Sequence, residues 1–121
     1  MNKLILTGKV EKVDFKAVPS GKFVANVIIN NVYWANKEKR ILRVGVTVWD
    51  KQATFAREWL RPGTEVLVDG RLISRAFKEK DGQMKEVIQV TGRVDVTRWA
   101  PRGAEKGMEI PHEKESEYAP Y

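Results

Sequence analysis

The segment from Ile41 to Leu72, ILRVGVTVWDKQATFAREWLRPGTEVLVDGRL, constrains the fold more than any other because its apolar period changes twice. Leu42, Val44, Val46 and Val48 alternate with Arg43, Gly45, Thr47 and Trp49, the period of two of a strand with one face on a core. Asp50 stands where a carboxylate can cap a helix by accepting orphan amide protons of the first turn. Gln52, Phe55, Ala56, Trp59 and Leu60 then fall on one side at helical spacing, until Pro62-Gly63 stops the run. Alternation resumes through Val66, Val68, Gly70 and Leu72. A short plug-like helix between two strands leaves few architectures open.

The rest of the chain reads as strand. Leu4, Leu6, Gly8 and Val10 alternate with Ile5, Thr7 and Lys9, and Gly8 predicts a bend or a close backbone approach. Pro19-Ser20-Gly21 is turn chemistry. A second strand from Lys22 to about Tyr33 has two apolar faces and is therefore expected to be covered on both sides. Residues 35–40 (ANKEKR) read as a charged loop. The fourth strand continues through Ile73, Arg75 and Phe77 to a hairpin tip, where Asp81-Gly82 suits a tight turn. A fifth strand returns from Met84 to about Trp99. Five strands with one helix between the third and fourth is the order of the all-β OB-fold, a partly open Greek-key barrel whose face and loops bind oligonucleotides. Residues 1–100 form the expected domain, and residues 101–121 a short, mobile, mildly acidic tail.

Chemistry is excluded early. The one histidine, His112, lies in the tail, there is no cysteine, and no phosphate loop or metal-ligand spacing is present. Glu65 and Asp69 share a strand face but are expected to be solvated acids. No enzymatic activity, cofactor or metal is predicted. No run approaches the roughly 20 apolar residues of a membrane span, and the N-terminal apolar run is too short for a signal peptide, so a cytoplasmic location is expected. The formal charge is +6, but residues 101–121 carry −2, so the first hundred carry about +8. That imbalance points to a polyanionic ligand.

Aromatic and basic side chains share faces, as single-strand binding by base stacking and phosphate contact requires. Arg43 and Trp49 lie opposite the third-strand valines, although the helix could instead bury Trp49. Arg71, Ile73, Arg75 and Phe77 point together on the fourth strand, ahead of Lys78, Lys80 and Lys85. Tyr33 and Trp34 are adjacent, so only one of them can face a ligand. Phe55 and Trp59 are expected in the core, Trp99 at the barrel's end, and Phe15 on either side of that division.

These residues also resemble a known family. MNKLILTGKV, PSGKFVANVIIN and the unit from VTVWD to KEKDGQ are similar, in that order, to the bacterial single-stranded DNA-binding proteins, over about residues 1–96. The resemblance implies base stacking on Trp49, on Phe77 and on Trp34 or Tyr33, and a homotetramer or, second, a homodimer. It further implies single-stranded DNA as partner in replication, recombination or repair, at the nucleoid. Arg43 departs from the pattern, standing where the family usually has a tryptophan. The tail also departs: it lacks the family's acidic tip, and Tyr118-Ala119-Pro120-Tyr121 is a faint echo of that partner-recruiting end. The alternatives are an OB-fold protein-interaction module with weak nucleic-acid affinity and a cold-shock-like RNA-binding protein.

Overall fold

Alternating apolar residues build five strands, β1 (Leu4–Ala17), β2 (Phe23–Ala35), β3 (Glu38–Trp49), β4 (Glu65–Lys78) and β5 (Met84–Arg98), with helix α1 (Lys51–Trp59) between β3 and β4. The computed structural model describes residues 1–101, so the expected tail, including Tyr118 to Tyr121, lies outside the described residues beyond Pro101. The strands close in the order β1-β2-β3-β5-β4, with β4 pairing back onto β1. All pairings are antiparallel except a short parallel contact of β3 with β5, at Val46–Val90 and Thr47–Thr91. This is the OB-fold. Its interior is filled by inward-facing residues such as Val10, Val27, Ile29, Val46, Val66 and Val68, all fully buried.

Three local expectations change. Residues 35–40 form a two-residue hairpin: Ala35 pairs with Glu38 across Asn36 and Lys37, both at positive φ. Such turns match strand twist and favour asparagine, so β2 and β3 run further than their apolar alternation. Asp50 does not cap α1. Its amide donates to the Phe23 carbonyl at 2.8 Å, and its Oδ1 accepts from the Phe23 amide at 3.4 Å. The residue thus ends the β2–β3 ladder, with φ 51° and ψ −113°, and only its carbonyl serves the helix by accepting from Thr54 at 3.0 Å.

The helix and its C-cap residue seal one end of the barrel through Ala53, Ala56 and Leu60, at i, i+3 and i+7, with Phe55 beside them. Trp59 falls off that stripe and is 58 % exposed, contrary to the expected core position. Trp99 lies at this end of the barrel, as anticipated, with its ring 6.5 Å from that of Phe55, although half of it remains exposed.

The close approach predicted at Gly8 is present. A Cβ there would lie 2.5 Å from the Asn30 carbonyl oxygen and 2.6 Å from Ile29 Cγ2. Backbone cannot give way as a flexible side chain can, so Gly8→Ala should cost about 1–2 kcal/mol of stability. Urea denaturation checks this, and an unchanged midpoint would mean that β1 shifts freely.

Candidate nucleic-acid interface

Cross-strand register decides which side chains share the outer face of the barrel. The β2–β3 ladder is unbroken from Val24–Trp49 to Ala35–Glu38. Ala25, Val27 and Ile29 point inward, so Val24, Asn26, Ile28, Asn30, Val32 and Trp34 point outward, together with Trp49, Thr47, Gly45 and Arg43 on β3. Trp34 therefore shares a face with Trp49, while Tyr33 takes the opposite one. Trp34 is also the more exposed, 70 % against 41 % for Tyr33. Ten residues separate Val24 from Trp34 along β2, so the two tryptophans stand roughly 30 Å apart before strand coiling.

The β4–β5 hairpin extends beyond the barrel as an arm. One of its faces carries Arg71, Ile73, Arg75 and Phe77, paired in order with Thr91, Gln89, Val87 and Lys85. Thr91 pairs with Thr47 and donates its hydroxyl to the Thr47 carbonyl at 3.2 Å, so this arm face continues the outer face of β3. Between the arm and the curled end of β1 lies an open groove of about 990 Å³. Val24, Asn26 and Thr47 are in its floor, with Trp49 at the β3 end, Ile73, Arg75 and Gln89 on the arm side, and Asp14, Phe15 and Lys16 on the β1 side. Trp49 is 48 % exposed, so α1 leaves it available.

The other expected residues distribute around this groove. Phe77 and Lys85 sit further out on the same arm face, with Lys85 paired to Glu79 at 3.0 Å. Lys78 pairs with Met84 on the reverse face, and Lys80 is at the tip. Arg71 lines a separate shallow depression with Asn2, Lys3 and Asp69, near the root of the arm. Among the described residues, Arg71, Arg75, Lys78 and Lys80 have no carboxylate partner within 4 Å. Phe15 packs against the core beneath Arg57, whose guanidinium carbon is 4.4 Å from the ring centroid, while it also borders the groove.

Arg43 was expected to be a phosphate or stacking group, and its guanidinium instead grips a carboxylate. Its Nε and Nη2 donate to Glu11 Oε1 and Oε2 at 3.0 and 2.8 Å, and Asn30 Nδ2 donates to Oε1 at 3.3 Å. A β-bulge between Val10 and Lys12 brings Glu11 into this row across three strands. The Arg43 and Glu11 side chains are only 13 % and 9 % exposed. Burial alone pushes the Glu11 carboxyl up, but the hydrogen bonds and charge of Arg43, aided by Asn30 and Lys12, outweigh it and hold the carboxyl below its usual value. Nothing in local sequence pairs residues 11 and 43. Nor does local sequence mark Asn26, Thr47 and Gln89, although Thr47 shares the alternation of Arg43 and Trp49.

Residues 1–99 match the single-strand binding protein family. The chain belongs to that family. Among relatives, it is 33% identical over 94 residues to a single-stranded DNA-binding protein of Bacillus cereus, covering 74% of this chain and 55% of that one. It is 34% identical over 86 residues to one of Paenarthrobacter aurescens (64% and 49%) and 39% identical over 56 residues to single-stranded DNA-binding protein 2 of Chlorobaculum tepidum (46% and 38%). This member of the single-strand binding family thus spans about half the length of the curated relatives it matches. No described helix is long and apolar enough to cross a membrane, and no cluster of three or more metal-ligating side chains occurs among the described residues.

Proposed function

We propose that this chain binds single-stranded DNA without catalysis and largely without regard to sequence, covering it during replication, recombination or repair. Bases stack on Trp49 in the groove, on Phe77 along the arm and on Trp34 at the far hairpin. Tyr33, on the opposite face, is the weaker candidate. Arg75, Lys78 and Lys80 take phosphates, Arg71 and Lys85 lie on the flanks, and Arg43 contributes only as far as Glu11 leaves its charge uncompensated. The observation that carries this reading is the groove in which an exposed tryptophan faces an arginine lacking a described carboxylate partner, on a barrel of this family. A stacking platform beside a cation suits unpaired bases and not a duplex, whose bases are already stacked. The protein is further proposed to act in the cytoplasm, at the nucleoid, as a homotetramer or homodimer, which native mass measurement with and without oligo-dT would test.

Titration of tryptophan fluorescence with oligo-dT and with a duplex of equal length is the direct test. Quenching by the single strand alone is expected. Affinity should also fall with salt: three neutralised phosphates per protomer correspond to a slope of about −2 in log K against log salt. Equal affinity for duplex and single strand would overturn the stacking mechanism, and tighter binding of oligo-U than of oligo-dT would favour the RNA-binding alternative.

A further inference from the structure

The groove floor contains two kinds of row. In the first, Lys16, Val24 and Trp49 are register partners across β1, β2 and β3, a platform with a cation beside it. In the next, one pair of residues along the strands, Asp14, Asn26 and Thr47 are partners on the same outer face. Gln89, paired with Ile73 on the arm, borders the groove beside them. A sequence-blind groove needs only the first row.

The polar row has hydrogen-bonding capacity to spare. Among the described residues, the side chains of Asn26, Thr47 and Gln89 make no hydrogen bond; the Thr91 hydroxyl reaches Thr47 at its backbone carbonyl. Asp14 has only a loose pairing with Lys12 at 3.8 Å, with both side chains about half exposed. A carboxylate in a groove for a polyanion repels phosphate, so its favourable contact is with a base edge that donates. Carboxylates accept from the 4-amino group of cytosine, and side-chain amides bridge the amino group and ring nitrogen of adenine. Splayed single-strand bases present these edges to a protein. Thymine and uracil offer a carbonyl where cytosine carries its amino group.

We infer that the row Asp14–Asn26–Thr47, with Gln89, reads the edge of the base stacked on Trp49 and prefers cytosine or adenine, with their 4- or 6-amino group, over thymine or uracil. This rests on the single-strand reading above and adds a base preference at one position to otherwise sequence-tolerant binding. Asp14 supplies the discrimination at the 4-position, where its carboxylate accepts from the amino group of cytosine and meets a carbonyl on uracil. Asn26 and Gln89 accept or donate by rotating their amides and complete the contact to the ring nitrogen.

Oligo-dC and oligo-dU of equal length differ only at this edge, which makes them the probes. At pH 8, where cytosine is neutral, the wild-type protein should bind oligo-dC roughly 5–10-fold more tightly than oligo-dU. Asp14→Ala and Asn26→Ala, at positions outside the core, should each bring that ratio toward one. Asp14→Ala should bind oligo-dU no more weakly than wild type, since it removes a repulsive charge. Circular dichroism melting confirms that each variant is folded before its ratio is read. Binding of both oligonucleotides with a ratio of one, or a ratio that survives in both variants, overturns the base-reading row and leaves single-strand binding standing. Failure of wild type to bind either oligonucleotide removes the single-strand reading itself, and this inference with it.

Discussion

Trp49→Ala should weaken oligo-dT binding by roughly 5- to 150-fold, the range expected for loss of one stacked base at about 1–3 kcal/mol. The indole is half exposed at the end of β3, and α1 packs through Ala53, Ala56 and Leu60 without covering it. Little stability should therefore be lost, and the thermal midpoint of the variant should stay close to wild type. Trp49→Phe should recover much of the affinity, since a smaller ring still stacks. Isothermal titration with oligo-dT measures all three proteins. An alanine variant with wild-type affinity would place the bases elsewhere, whereas a changed native mass with no change in affinity would mark this face as a subunit or partner interface.

The second large effect is on stability. Arg43→Ala should destabilise the barrel by up to about 3 kcal/mol, because it leaves a nearly covered carboxylate with only Asn30 as hydrogen-bond donor. The effect depends on pH with a definite sign. The Glu11 carboxyl is held below its ordinary value of 4.5, so the folded state favours its ionised form. That contribution is complete above the unfolded-state pKa and disappears as pH falls below 4.5 through the lowered folded-state value. Urea midpoints of wild type and Glu11→Gln should thus differ at pH 7 and converge toward pH 3. A gap that persists at pH 3 would mean that the pair acts through packing and not charge.

The same pair bears on binding. The family resemblance leads to the expectation of a tryptophan at Arg43, whose charge here is matched by a carboxylate delivered from a bulge in β1. The floor of the outer face at this level is thus nearly neutral, and in the proposed binding mode the phosphate contacts fall to the arm. There Arg75 and Phe77 share one face, as their spacing predicted, while Lys78 turns to the reverse side and Lys85 is held by Glu79.

What the sequence determined by itself was whatever depends on period and local turn chemistry. Strand alternation, the helix between Asp50 and Pro62 and the strand glycine at Gly8 were enough to specify the OB-fold and the order of its elements along the chain. The aromatic and basic residues of the arm were also legible, because i and i+2 on a strand share a face whatever the rest of the chain does. Spacing alone puts Trp59 in the core, but a nine-residue helix can turn either of two neighbouring stripes inward, and only its seat against the barrel selects Ala53, Ala56 and Leu60. Local sequence makes Asp50 a cap, because its bond to Phe23, 27 residues away, is invisible locally. Tertiary structure alone sets Trp34, and not Tyr33, on the outer face with Trp49, since that needs the register of the β2–β3 hairpin. It alone joined Glu11 to Arg43 and set Asp14, Asn26 and Thr47 in one row, because those contacts arise only when separate strands are brought into register.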